Sequence, residues 1–351
     1  MCAAGSRILG IQAVVPAGVA GPDDVAARFG PEVAERVLQM TGVRQRHIAP
    51  PGQTTADLAH AAARSLLGKL GVPAGEVDGV ILVTQTPDFV APATACILQD
   101  RLGLSQSAFA FDVNQGCSAY PYGLAVCHGL MAAGLARRIL LLVGDTASQG
   151  VDPADKGTAP LFGDGVAAAL LEAVAGPGDL LAFDLGTDGS GWANLVTAVG
   201  ASRYRRLEDF QARAPAELRA RFPNPERTFM DGSEVFAFTL RVVPGLVRRL
   251  LDRAGLTADG VDYFFFHQAN LFIINHLVKR CGLNAEKCPL SIGRYGNTSG
   301  ASPAVTACDA LPRSGRRGPV TAAFVGFGVG YSWGGVMARL NAETAFPVEE
   351  L

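Results

Sequence analysis

Val261-Asp262-Tyr263-Phe264-Phe265-Phe266-His267 repeats, 184 residues further on, the layout of Val77-Asp78-Gly79-Val80-Ile81-Leu82-Val83. In each stretch an aspartate opens a short apolar run of strand length, the pattern of a strand covered on both faces. A glycine precedes each at the same spacing, Gly71 and Gly255. Working outward, Val320–Phe327 matches Leu140–Asp145, and Gly330–Leu340 matches Gly163–Leu171, at nearly the same offset. Such agreement points to an internal duplication of about half the chain, with chance similarity among apolar strands as the competing reading. Further strands are predicted at 7–15 and 109–113, and helices at 22–38, 54–70, 94–102, 117–133 and 303–311. Strands alternating with helices give two α/β halves, 1–172 and 178–341, stacked in layers with a site where they meet.

The chain has 351 residues, 49% hydrophobic and 18% charged, and its formal net charge is −2. This is the composition of a compact protein, and the lack of a long basic run argues against nucleic acid as a partner. The seven cysteines are scattered and include no CxxC pair, which reads as a reduced, cytoplasmic protein with no structural zinc. No apolar stretch reaches about 18 residues, so neither a membrane span nor an export signal is expected.

Phe111-Asp112-Val113-Asn114-Gln115-Gly116-Cys117-Ser118-Ala119-Tyr120 reads as a strand end, a glycine turn and a helix opening on a cysteine. Orphan N–H groups and the dipole at a helix start stabilise a thiolate, so Cys117 is a candidate nucleophile. On its own it fits equally the commoner fate of a free cysteine, a small buried hydrophobe. Three other polar loops follow strands or open helices: His267-Gln268-Ala269-Asn270, Arg294 to Ser302 around Asn297, and Gly326-Phe327-Gly328-Val329-Gly330. The histidine has a bland alternative as a satisfied core residue, and the asparagine as a helix cap. The glycine loop lacks dinucleotide spacing but lets backbone N–H groups approach a substrate oxygen.

At these residues, and at Thr41-Gly42-Val43-Arg44-Gln45-Arg46-His47-Ile48, Phe162-Gly163-Asp164-Gly165 and Trp333-Gly334, the chain resembles the β-ketoacyl-acyl-carrier-protein synthase III family of thiolase-fold condensing enzymes. The resemblance implies a thiolase-like, five-layered αβαβα sandwich of two pseudo-equivalent halves, a homodimer, and no cofactor or metal beyond thioester substrates. It implies that Cys117 takes an acyl group from an acyl-CoA or acyl-carrier-protein donor. His267 and Asn297 would then hold the enolate formed when a malonyl thioester, on carrier protein or coenzyme A, loses CO2. Backbone N–H groups of Cys117 and Val329 would form the oxyanion hole, Asn270 would orient the pantetheine arm or a water near His267, and Phe327 would contact the substrate. Two further readings stand beside this one: transfer of the acyl group to an oxygen, nitrogen or sulfur acceptor, and a degenerate scaffold that pairs with an active partner.

The departures from the family concern recognition. Arg36 and Met40 occupy positions where familiar members carry a tryptophan and an arginine that clamp coenzyme A, and Lys156 replaces an arginine. Phe272 and Ala237 stand at basic positions of the carrier-protein patch, leaving Lys279 and Arg280, with Arg248 and Arg249 as possible substitutes. Ala91 replaces a phenylalanine that reaches across the dimer, which implies a roomier acyl pocket. The arginine-rich Tyr204–Arg227 segment has no family counterpart and is expected to be a solvated loop rather than a lid. Altered recognition favours a specialised lipid or secondary-metabolite role over housekeeping fatty-acid initiation.

Overall fold

The computed structural model describes residues 4–351, so Cys2 lies outside the described residues. The strands used below are β1 (Ala4–Val15), β2 (Gly79–Val83), β3 (Phe109–Val113), β4 (Arg138–Asp145), β5 (Gly165–Ala175), β6 (Leu180–Thr187), β7 (Tyr263–Phe266), β8 (Pro319–Gly328), β9 (Ser332–Asn341) and β10 (Glu349–Glu350). They form one sheet in the order β10-β1-β5-β4-β2-β3 and a second in the order β7-β8-β9-β6. Within these, β1-β5-β4-β2 and β6-β9-β8-β7 share one plan: two antiparallel pairings followed by a parallel one.

The duplication extends to single side chains. Asp78 Oδ2 accepts the Arg138 N–H at 2.8 Å, and Asp262 Oδ2 accepts the Thr321 N–H at 2.8 Å. Gly71 and Gly255 both end helices in the left-handed conformation, with φ 63° and 65°, where a side chain is disfavoured.

The helices place the sheets in layers. α3 (Thr55–Leu70) and α4 (Thr94–Arg101) cover the first sheet, and α8 (Gly232–Ala254) covers the second, with α9 (Leu271–Arg280) packed beside α8. Between the sheets lie α5 (Ala119–Ala132) and α10 (Ser302–Ser314), giving five layers, αβαβα. Strand side chains alternate between faces. Accordingly Ile81, Val83 and Phe265 enter the central core, while Val80 and Leu82 enter the outer core of the first half and Phe264 and Phe266 that of the second. Both faces of these strands are therefore apolar, which is why their sequences show continuous runs rather than alternation.

Three expectations are corrected. The helix expected over 22–38 is two helices, α1 (Pro22–Phe29) and α2 (Pro31–Thr41), because Gly30 at φ 91° and Pro31 break the run. The helix expected from Cys117 begins at Ala119, with Ser118 as its N-cap, so the cysteine stands in the turn just before it. The Tyr204–Arg227 segment is not a solvated loop. It holds α6 (Leu207–Arg213) and α7 (Ala216–Arg221) around a small core of Val199, Tyr204, Phe210, Ala214 and Phe222, with Phe229 packed against it. Hydrogen bonds tie it to the rest: Arg227 to the Gln149 carbonyl at 2.7 Å and Asn224 to Asp152 at 3.0 Å. Phe222→Ala removes the centre of this core, a loss of about 3–5 kcal/mol for a buried phenylalanine. Trypsin cleavage among the segment's arginines is then expected to accelerate at least about tenfold. Unchanged cleavage would contradict a packed segment.

Candidate active site

Four loops close around Cys117, and glycines set how tightly. A Cβ on Gly328 would lie 2.6 Å from the Cys117 Sγ, and one on Gly326 2.7 Å from the Cys117 carbonyl oxygen. A Cβ on Gly116 would meet Val329 at 2.3 Å, and one on Gly300 would meet the Gly116 carbonyl at 2.5 Å. The glycine-rich end of β8, the turn before α5 and the loop before α10 are thus in direct contact across the two halves. The fourth loop arrives through Phe327, whose ring meets the His267 ring edge-on at 5.5 Å. His267 follows β7 directly and is buried, as are Cys117 and Asn297.

The loop after β8 is fixed by a directed chain of hydroxyls. Ser332 Oγ donates to the Val329 carbonyl at 2.8 Å, so it accepts from Ser118 Oγ at 2.7 Å, which accepts from Gln115 Nε2 at 2.8 Å. The Val329 backbone N–H lies near the Cys117 sulfur and favours its charged form. The bonding of Ser118, Ser332 and Gln115 to one another carried no signal in the sequence, since isolated polar residues have no spacing to read.

The thiol is not the activated group that a helix start suggests. Burial pushes the Cys117 pKa up to about 11, and the Asp145 charge adds to this, while the Val329 N–H acts in the opposite direction. Placing Cys117 in the turn, under Gly326 and Gly328, removes the water that would solvate a thiolate. The shift is upward, so the resting group is a thiol throughout the neutral range. Alkylation of Cys117 by iodoacetamide is expected to accelerate steadily with pH up to about 10, and a plateau below pH 9 would contradict this.

Burial acts on His267 in the other direction, lowering its pKa to about 4. The imidazole is therefore neutral at pH 7. Because its pKa falls on folding, it favours the folded state above about pH 6.5 and that contribution is lost as pH drops toward 4.

Asn297 is held from both halves: its N–H donates to the Leu161 carbonyl at 3.0 Å and its carbonyl accepts the Gly163 N–H at 3.1 Å. Its Oδ1 accepts the Ser299 N–H at 3.0 Å, leaving the amide nitrogen with only a long 3.4 Å contact to the Ala269 carbonyl. Asp164 anchors the Phe162–Gly165 stretch by accepting from the Ala49 N–H and from Ser148. Asn270 Oδ1 caps α9 by accepting the Ile273 N–H at 2.7 Å, so only its amide nitrogen is free of the cap. Val329 is half-buried and Phe327 buried.

The recognition candidates sit at the surface. Arg36, Met40 and Lys156 are exposed, as are Ala91, Lys279, Arg280, Phe272 and Ala237. Arg249 is engaged with Asp184, which also pairs with Arg253. No group of three or more His, Cys, Asp or Glu side chains among the described residues could hold a metal ion. No helix among them is long and apolar enough to cross a membrane.

Residues 111–189 match the family model described as 3-oxoacyl-[acyl-carrier-protein] synthase III, and residues 251–340 match the model of its C terminal. A beta-ketoacyl-[acyl-carrier-protein] synthase III of Desulfitobacterium hafniense is 36% identical over 333 residues, covering 93% of this chain and 97% of its own. The chain belongs to the β-ketoacyl-acyl-carrier-protein synthase III family. A beta-ketoacyl-[acyl-carrier-protein] synthase III of Streptococcus suis is 35% identical over 339 residues, covering 95% of this chain and 99% of its own. Among solved structures, a 3-oxoacyl-(acyl-carrier protein) synthase from Burkholderia xenovorans superposes with a TM-score of 0.89 at 38% identity, covering 100% of this chain and 98% of its own. The fold is that of the thiolase-like condensing enzymes. The two matched segments carry Cys117 in one half and His267, Asn297 and Val329 in the other.

Proposed function

We propose that the protein joins a Cys117-bound acyl group to a malonyl thioester with loss of CO2, giving a 3-oxoacyl thioester. The observation that carries this reading is the convergence of Cys117, His267 and Asn297 from both halves in a member of a family whose relatives are named for that condensation. Those names favour condensation over acyl transfer to an oxygen, nitrogen or sulfur acceptor.

In the first step the Cys117 sulfur attacks the donor thioester carbonyl, and its proton ends on the departing thiol. The tetrahedral oxyanion needs fixed donors, and the Val329 and Cys117 N–H groups suit it because both favour negative charge at the sulfur. In the second step the malonyl carboxylate leaves as CO2, and the electron pair of the broken C–C bond is delocalised onto the thioester oxygen. No base is required, only neutral donors for the enolate. His267 is neutral, and the Asn297 amide nitrogen is nearly free of protein partners. The carbanion attacks the acyl-cysteine carbonyl, and the Cys117 thiolate leaves and regains a proton.

Malonyl-carrier protein and an acyl-CoA or acyl-carrier-protein donor are the substrates in this reading, in the cytoplasm and with no cofactor. Lys279 and Arg280, exposed at the end of α9, would meet the acidic carrier, and Arg36 and Lys156 the donor's nucleotide end. Arg249 contributes little, being bound to Asp184. A homodimer belongs to the same proposal. It is supported by the edge strand β3, with Phe109 and Phe111 stacked at 6.0 Å, and by exposed Phe89 and Val90 after β2.

The test is CO2 release. Purified protein given an acyl donor and malonyl-carrier protein labelled at the free carboxylate is expected to release label as 3-oxoacyl product forms. An acyl-Cys117 adduct with no label released would favour the other acceptors.

A further inference from the structure

His267 Nδ1 faces two groups: the Ser302 Oγ at 2.7 Å and the Ser299 carbonyl oxygen at 3.1 Å. Ser302 is fully buried at the start of α10, and its Oγ also accepts the Gln268 N–H at 3.0 Å and lies 2.8 Å from the Ser299 carbonyl. A hydroxyl has one proton, so Ser302 donates either to Nδ1 or to that carbonyl, and the choice decides which imidazole nitrogen carries hydrogen.

The Ser299 carbonyl 3.1 Å from Nδ1 would accept from a protonated Nδ1, but three observations favour donation by Ser302 to Nδ1 instead. The 2.7 Å separation is typical of a hydroxyl donor, whereas ring N–H donors centre nearer 2.9–3.0 Å. The Ser299 carbonyl already receives the Ser302 backbone N–H, so it is satisfied without the hydroxyl. The Gln268 N–H occupies one Oγ lone pair, which restricts where the hydroxyl proton can point. Ser299 itself is held with φ 49°, left-handed for a non-glycine residue, by its N–H bond to Asn297 Oδ1. The groups facing Nδ1 are thus fixed by the same loop that carries Asn297.

We propose that Ser302 is a positioning residue: its hydroxyl donates to His267 Nδ1 and so keeps the imidazole proton on Nε2, where it faces the malonyl enolate. This rests on the condensing role given to His267 above. Without Ser302 the only group left beside Nδ1 is a carbonyl, which accepts and cannot donate. The proton would then move to Nδ1, leaving Nε2 bare and repelling the enolate oxygen it should stabilise.

The test reads the tautomer directly by 15N NMR of histidine-labelled protein, with His267→Ala identifying the signal. Wild-type protein is expected to show a protonated Nε2 and an unprotonated Nδ1. Ser302→Ala is expected to show the reverse, with malonyl decarboxylation down about 100-fold and Cys117 acylation within threefold of wild type. Retained acylation shows that the variant is folded at the site. A proton on Nδ1 in the wild type would overturn the proposal even if no variant folds. So would a Ser302→Ala protein that keeps the wild-type tautomer or the wild-type decarboxylation rate. Undiminished decarboxylation in His267→Ala would instead overturn the role of the histidine on which the proposal rests.

Discussion

Cys117→Ala is expected to remove the acyl adduct entirely and to lower condensation at least about a thousandfold, as loss of a covalent nucleophile does. The substitution deletes one sulfur from a buried site whose walls, Gly326, Gly328 and Val329, belong to the other half, so the backbone that holds the site is left in place. His267 and Asn297 are untouched, and their bonds run to Ser299, Ser302, Leu161 and Gly163, none of them through Cys117. The fold and melting behaviour should therefore change little while the chemistry disappears. Intact-protein mass spectrometry after incubation with acyl donor checks this. An adduct of the same mass on the variant would place the nucleophile elsewhere, and the other described cysteines are the candidates to examine.

The second large effect separates the two steps. His267→Ala and Asn297→Ala are each expected to lower condensation about 10²–10³-fold, the usual consequence of losing one preorganised donor to a developing oxyanion. Acylation of Cys117 should stay within a few-fold of wild type, because the first oxyanion is assigned to backbone N–H groups that neither substitution alters. Acyl-enzyme should then accumulate in both variants when donor and malonyl thioester are supplied together. Since both donors are assigned to one oxygen, the double variant should lose less than the product of the two single losses. Equal loss of acylation and condensation would show instead that His267 acts on the thiol.

Much of this arrangement was legible in the sequence because duplication repeats physical constraints. Asp78 and Asp262 each accept the N–H at the start of a neighbouring strand, and that requirement recurs as the same letter 184 residues apart. The fully buried strands announced themselves as apolar runs, and the polar loops stood out against them. The loops carrying Cys117, His267 and Asn297 could be found, but not the thiol's environment. Composition near Cys117 suggested a helix dipole and hence a thiolate, whereas packing of Gly326 and Gly328 onto the cysteine buries it and raises its pKa. That contact joins residues over 200 positions apart, beyond any local pattern.

The Tyr204–Arg227 segment misled for a related reason. Six arginines read as solvated surface, yet Tyr204, Phe210 and Phe222 turn inward at spacings that match neither helix nor strand. The arginines meanwhile spend themselves on local carbonyls and on Asp209 and Asp231. The return of β10 to pair with β1 was equally invisible, since a two-residue strand has no periodicity. Ser302 was read only as part of a polar loop, and its place beside Nδ1 appears once β7 and α10 are side by side.

The central claim is that one cysteine holds the acyl group and the other half of the molecule turns it into a carbon–carbon bond. The most direct measurement loads Cys117 from a panel of acyl-CoA and acyl-carrier-protein donors, removes excess donor, and chases with malonyl-carrier protein while following intact mass. The account predicts a donor-dependent mass increase confined to Cys117, lost on the chase as CO2 and an equal amount of 3-oxoacyl-carrier protein appear. An adduct that persists through the chase, or leaves without CO2, would contradict it.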